Sequence, residues 1–315
     1  MQGQTYRPAW KTLLAFAIIY LVWGLTFLAI RVGVREVPPY AFAAMRFLVA
    51  GLFLYGAMIA RGERSPSARE WMSVFIIALL IFVLDYGSLF WAERRVPSGI
   101  AAVMMATVPV FMALGEIVFL RTQRLTIRLV LALLTGMGGV ALLMSRSFNL
   151  GGAPIDRAGA LALILAAISF SISSVLARKL PLPSSKIMSS GAQMLAGGVL
   201  LAFTAAALGE FRDFRPGAVS RGAWLALLYL IVPGSIIAYT AYVWLIHHES
   251  PTRVGTYAYV NPVVAVLAGH FLGGEKLDLR TILGALAVLI GVAAIGTARA
   301  GRPSDLQHPP SAATV

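Results

Sequence analysis

Three charged side chains stand inside long apolar runs of this 315-residue chain: Arg46, Asp85 and Glu116. A charge at the centre of a membrane helix costs roughly 2.5 to 3.5 kcal/mol on insertion scales, so each needs a partner or a task. Arg46 and Asp85 each lie six residues from the outer end of their runs, about 9 Å deep at about 1.5 Å per residue. That spacing allows an ion pair that closes or shapes the outer side of a cavity. The alternative is that Arg46 snorkels outward while Asp85 bonds backbone. As a proton-coupling group Asp85 is the first candidate and Glu116 the second, although Glu116 also has Arg121 in reach as a structural partner.

The stretch YAYVNPVVAVLAGHFLGGEKLDLR, residues 257 to 280, sets polar chemistry where lipid tails belong. Pro262, like Pro109 earlier in the chain, removes a backbone donor. A membrane tolerates that only where protein or a water-filled cavity satisfies the freed group. Thr256, Tyr257, Tyr259 and Asn261 are therefore expected to face a cavity, with Asn261 and a freed carbonyl able to hold an amino or carboxyl group. The competing reading has Asn261 bonding a neighbouring helix and the tyrosines packing locally. Trp23, Tyr86 and Tyr239 are deep enough in their runs to line the same cavity, whereas Trp91 and Trp244 lie at run ends and fit an interfacial belt. The substrate-binding candidates are thus Trp23, Tyr86, Tyr239, Tyr257 and Asn261, and the gating or coupling candidates Arg46, Asp85, Glu116, Pro109 and Pro262. His247 and His248 are adjacent and read as a loop, and His270 is alone, so no metal or other cofactor is expected.

The elements that position these residues follow from composition. The chain is 59% hydrophobic and 12% charged, with mean hydropathy +0.81, which describes an integral membrane protein. A net charge of +13 would suggest nucleic acid in a soluble chain, but Lys and Arg sit in short segments between apolar runs, where topology and anionic lipid explain them. No nucleic-acid partner is expected. The absence of cysteine excludes disulfides and thiolate sites. Ten runs are long enough to span: 11–31, 40–60, 71–91, 98–120, 126–145, 157–177, 188–208, 221–244, 251–272 and 280–298. Residues 1–10 read as a cytoplasmic segment ahead of a retained first helix, 146–156 as a connecting loop and 299–315 as a disordered tail. With both termini inside, the inner segments hold 14 Lys and Arg against 11 outside, a weak preference for that orientation.

The chain also resembles itself. At an offset of 147, Trp23 meets Phe170 and RFLVAGLFL (46–54) meets QMLAGGVLL (193–201). At 153, Trp71, Tyr86, Trp91 and Pro109 meet Trp224, Tyr239, Trp244 and Pro262, and at 152 Arg128 and Gly139 meet Arg280 and Gly291. Two halves of five helices each, 11–145 and 157–298, must enter the membrane from opposite sides. Many secondary transporters are built on such inverted repeats, with substrate bound near the midplane between them.

IIYLVWGLTFLAIRVGV, PPYAFAAMRFLVAG, VPSGIAAVMMATVPVFMAL and YAYVNPVVAVLAGHFLGGEKL resemble, in order and spacing, the EamA-like branch of the drug/metabolite transporter superfamily. The resemblance covers roughly residues 10 to 297. It implies an all-α membrane protein of ten helices in two inverted five-helix repeats, a bacterial-type inner membrane, cytoplasmic termini, and export of small metabolites such as amino acids or toxic organic compounds. The first half reads RTQRL (121–125) where the second has GGEKL (273–277). Exchange of phosphorylated or nucleotide sugars would need buried cations beyond Arg46. A membrane-embedded enzyme would need clustered carboxylates, and a scaffold or sensor a soluble output domain. The reading is a secondary carrier in the lipid bilayer exporting a small-molecule substrate, an amino acid or related zwitterionic or amphiphilic compound, with multidrug or organic-cation export as the alternative and protons as a candidate coupling ion. Glycines 136, 139, 284 and 291 favour helix packing within the chain over a homodimer seam.

Overall fold

A computed structural model describes residues 9–96, 98–144, 156–212, 214–273 and 279–297. Among these residues the chain forms helices and short connections, with no strand. In hydrocarbon every backbone polar group must be satisfied within its own segment, which apolar runs of this length achieve only as helices. They are α1 (Ala9–Val34), α2 (Pro39–Ala60), α3 (Ala68–Glu93), α4 (Ala101–Leu120), α5 (Ile127–Leu143), α6 (Arg157–Leu176), α7 (Lys186–Ala207), α8 (Arg221–His248), α9 (Tyr257–Gly273) and α10 (Leu279–Thr297). Eight have 19 to 28 residues, and α5 and α9 have 17 each, the lower end of what crosses about 30 Å. Leucines such as Leu13, Leu21 and Leu28 on α1, and Phe203 and Leu225 elsewhere, are exposed. Lipid is their solvent.

Polar punctuation sets the ends. Ser67 and Glu70 form a reciprocal capping box on α3, and Thr126, Asp156, Ser185 and Ser220 accept from the first turns of α5, α6, α7 and α8. Gly62 and Gly209 stop α2 and α7 with φ of +81° and +73°, a left-handed conformation that glycine adopts without strain. They stand 147 positions apart, and each is followed by a glutamate. Because α2 begins Pro38-Pro39, it has no capping side chain of its own. Glu210 fills that role from the other half, accepting from the Ala41 amide at 2.8 Å. The end of α8 differs from the sequence reading. His247 and His248 continue the helix instead of forming a loop, because each ring nitrogen Nδ1 is hydrogen-bonded to the carbonyl four residues earlier, at 2.7 and 2.6 Å.

The inverted repeat is visible as contacts made twice. Where α2 crosses α7, a Cβ on Gly51 would come to 2.4 Å from the Leu195 amide nitrogen, and one on Gly198 to 2.6 Å from that of Leu48. Exchanging the halves at an offset of 147, which takes 51 to 198 and 195 to 48, converts the first contact into the second. Where α5 crosses α10, a Cβ on Gly139 would lie 2.6 Å from the Val288 nitrogen and one on Gly291 2.6 Å from that of Gly136, and the same exchange at 152 converts one into the other. Such reciprocity is what a two-fold axis produces at an isologous contact. The axis passes through both crossings, and the protein is two inverted five-helix repeats. The packing glycines are thus consumed within the chain.

Around these crossings the buried side chains form two groups. The larger joins α1, α2, α3, α6, α7 and α8, and the smaller joins α5 and α10 with parts of α4 and α9. In the middle of α3 and of α8 the chain winds more widely, as π-helical turns at Leu79–Gly87 and Leu230–Ile237. A π turn inserts a residue and rotates the rest of the helix about its axis, and such turns are frequent at functional sites.

Candidate functional site

The π turn of α3 presents Asp85 and Tyr86 to a small space between the halves. This cavity, about 40 Å³, is also lined by Trp23 and Thr26 of α1, Met105 of α4, Phe170 of α6, and Tyr257, Ala258 and Asn261 of α9. It has room for water or a small polar head group. Three helices of the first repeat and two of the second meet there, α1 with its counterpart α6 and α4 with its counterpart α9. Trp23 and Phe170 are the same residue of the two repeats. Their rings lie edge to face at 6.4 Å, and Tyr257 stands edge-on to Trp23 at 4.8 Å and to Phe170 at 5.8 Å.

The two prolines differ in physical role. Pro262 lies inside its helix and removes the donor that would serve the carbonyl of Ala258, a residue that lines the cavity, whereas Pro109 stands in the first turn after a break at Ala106–Thr107, where no helical donor is lost. Two side-chain acceptors join the Ala258 carbonyl: Asp85 Oδ1 and Asn261 Oδ1 are buried and have no hydrogen-bond partner. Burying such atoms unpaired is costly, about 1 to 3 kcal/mol for a neutral group and more for a charged one. Neither serves the fold.

Arg46 is 1% exposed, so the snorkelling alternative is ruled out. Nor does it pair with Asp85. Its Nε donates to Ser235 Oγ at 2.8 Å and its Nη2 reaches the Gly234 carbonyl at 3.4 Å, while Nη1 has no partner. The guanidinium lies 4.5 Å from the Phe47 ring centroid and 5.1 Å from that of Tyr86, contacts favourable to a weakly hydrated cation. Ser235 and Gly234 belong to the π turn of α8, whose Pro233 opens the local ladder. Trp23 uses the same turn, donating from Nε1 to the Gly234 carbonyl at 3.0 Å. Composition alone gives no sign of this anchor.

Tyr239 does not line the cavity. It is fully buried and donates to Gln193 Oε1 at 2.8 Å. Since Gln193 is the counterpart of Arg46 and Tyr239 of Tyr86, each half holds one polar residue against one tyrosine. The first half alone kept the charge. Tyr259 is likewise turned away, donating to the Leu133 carbonyl at 3.0 Å. Tyr242 is a residue the sequence reading missed: it packs on Trp23 and Phe170, at 5.4 and 5.2 Å, and its hydroxyl is 2.6 Å from Ser174 Oγ.

Glu116 is buried near the end of α4, and its partner is not Arg121. Its carboxylate accepts from the Thr252 amide at 2.8 Å, from the Thr252 hydroxyl, and from the Thr122 hydroxyl at 3.2 Å. Close by, Tyr20 OH and Thr256 Oγ1 are 2.7 Å apart. These contacts join the two repeats across the mouth of the cavity at the end where α1 begins. At the other end Glu36 accepts from the Ser220 amide and hydroxyl at 2.6 and 2.7 Å, and hydrogen bonding by Ser220 holds its carboxyl below the usual carboxylate range. Contacts between the repeats thus stand at both ends. Trp91 carries Arg95 over its ring at 4.2 Å, and Trp244 stacks on His248 at 4.2 Å. His270 packs against Phe271 at 5.0 Å, and among the described residues no group of side chains is arranged to hold a metal. GGEKL, apart from its first glycine, lies outside the described residues.

The sequence pattern of the EamA-like transporter family matches this chain twice, over residues 10–145 and 157–297. The chain is 38% identical over 266 residues to the uncharacterized inner membrane transporter YedA of Escherichia coli, a match spanning 84% of this chain and 83% of that one. It is 26% identical over 286 residues to an uncharacterized transporter of Archaeoglobus fulgidus, across 90% of this chain and 96% of the other. A WAT1-related chloroplastic protein of Arabidopsis thaliana shares 26% over 277 residues, 87% of this chain and 66% of its own. One solved crystal structure superposes with a TM-score of 0.72 over 92% of this chain and 97% of its own at 22% identity, a likeness of fold. Doubled pattern, reciprocal helix crossings and a full-length relative agree: the chain belongs to the EamA-like transporter family.

Proposed function

We propose that the protein is a secondary transporter of a bacterial-type inner membrane, with cytoplasmic termini, that exports small metabolites such as amino acids or related zwitterionic and amphiphilic compounds by alternating access. The observation that carries this reading is the small aromatic-walled space at the repeat interface, where the buried acceptors Asp85 Oδ1 and Asn261 Oδ1 are left without partners. Trp23, Phe170 and Tyr257 supply ring faces and edges that contact apolar bodies and cationic groups alike. Contacts between the repeats stand toward both ends of the cavity. Rocking of one repeat against the other would break one set of bridges at a time. No phosphate-binding loop is present in the sequence, so the driving force is the substrate gradient or an ion gradient.

Uptake of radiolabelled amino acids into proteoliposomes, with and without a pH gradient, tests it. Wild type is expected to exceed empty liposomes, and Asn261→Ala to lose most of that excess while eluting as a folded species. Uptake no faster than through empty liposomes for every compound would sink the substrate class, and uptake untouched by Asn261→Ala would sink the site.

A further inference from the structure

The unpartnered groups that line the cavity share a polarity. Asp85 Oδ1 and Asn261 Oδ1 are acceptors, and the carbonyl that Pro262 deprives of a donor, on Ala258, is an acceptor too. The unpartnered donor nearby, Arg46 Nη1, belongs to a side chain that does not line the cavity and is held away by Ser235, Gly234 and two rings. An anion entering this space meets the Asp85 carboxyl and ring faces, with neutral donors only in the Tyr86 and Tyr257 hydroxyls, Thr26 and the Asn261 amide nitrogen. A cation rich in N–H donors meets its complement.

We propose that the cavity recognises a protonated primary or secondary ammonium group, whose N–H donors bond Asp85 Oδ1 and Asn261 Oδ1, and that this ammonium and a proton occupy Asp85 alternately. The inference deepens the transporter reading and rests on it for its physiological meaning. The titratable and charged groups packed around Asp85 are Arg46 on α2, Tyr86 beside it on α3, Tyr239 and Tyr242 on α8, and Tyr257 on α9. At neutral pH Arg46 alone among them is charged. A carboxylate 2% exposed, with no ion pair on it, is not left bare in a membrane interior: it takes a proton or a cation. When the ammonium arrives, the proton leaves to water. Charge in the cavity is the same in both states, which permits exchange of one proton for one cation. About 40 Å³ admits the ammonium head, and the remainder of the substrate requires the helices to part. Amino acids and simple amines both carry the recognised group.

The experiment uses the purified full-length protein in detergent. Binding of 2-phenylethylamine is measured by isothermal titration beside two analogues of similar shape, 3-phenylpropionate and phenethyltrimethylammonium. The amine is expected to bind best, the quaternary cation more weakly for want of N–H donors, and the carboxylate not measurably. In weakly buffered solution a pH dye should report release of about one proton for each amine bound at a pH where Asp85 is protonated. Asp85→Asn, which keeps the side-chain shape, should weaken amine binding about tenfold or more, as loss of a charge-assisted hydrogen bond does, and abolish the release. Equal or tighter binding of the carboxylate overturns the proposal, as does failure of the amine to bind folded wild type or binding without proton release. The release is read on wild type, so the test stands if Asp85→Asn does not fold. The transporter reading fails separately: an amine that binds with proton release yet never crosses proteoliposomes refutes transport and leaves the ammonium site. Carriage of anions indifferent to Asp85→Asn does the reverse.

Discussion

Arg121 ends α4 with φ of 54°, and among the described non-glycine residues no other φ is positive. The left-handed conformation costs a residue with a Cβ roughly 1 kcal/mol or more, and the first half carries RTQRL where the second carries a glycine pair. The left-handed turn at Arg121 is thus made without the residue type best suited to it. Arg121→Gly should therefore raise the unfolding midpoint in detergent, by the equivalent of about 0.5 to 1 kcal/mol once the extra freedom of glycine in the unfolded chain is subtracted. A midpoint unchanged or lowered would show that the arginine makes a contact worth more than its strain. The same turn explains why Glu116 and Arg121 fail to pair. A continued helix would carry Arg121 past Glu116, whereas the left-handed step brings Thr122 to 3.2 Å in its place. Depth along a helix is legible in the sequence, which is why Trp23, Asp85, Tyr86, Tyr257 and Asn261 stand out there and are found together in the fold. The direction a side chain faces is not. Tyr86 and Tyr239 occupy matched positions, and their fates differ because Arg46 on one side became Gln193 on the other.

At the scale of the element, apolar length identifies all ten helices but not their internal winding. A π turn leaves no compositional mark, and Pro233 is the one residue in either that hints at it. The extra residue rotates Asp85 and Tyr86 from where a regular α3 would hold them, so the expected ion pair with Arg46, reasoned from depth alone, does not form. Glycine spacing is a better guide, because close crossings need it irrespective of rotation. Gly51 and Gly56 on α2 make a controlled pair. Gly51→Ala pushes a methyl group into the Leu195 backbone, which has no flexible end to yield, and should destabilise by about 1 to 3 kcal/mol. Gly56 has nothing within 4 Å of an added Cβ, and Gly56→Ala should be neutral or stabilising by up to about 1 kcal/mol through helix propensity. Thermal unfolding of the two variants in one detergent decides. Equal effects would mean that the crossing is looser than described.

For the whole molecule, the two offsets of 147 and about 152 reveal the duplication, and the reciprocal crossings supply its axis. Under alternating access those crossings would be where motion does not occur. If alternating access proceeds by each repeat taking up the shape of the other, every contact is carried onto its counterpart. A contact already equal to its counterpart is then unaltered, and Gly51 on Leu195 with Gly198 on Leu48, or Gly139 on Val288 with Gly291 on Gly136, are such pairs. They serve as bearings, and the unequal bridges of Glu116, Tyr20 and Glu36 are the parts that travel. The same symmetry fixes the separation of any residue from its own counterpart. Spin labels at the exposed positions 56 and 203, one such couple, should report a single distance that a bound substrate does not shift, however far the mouths swing.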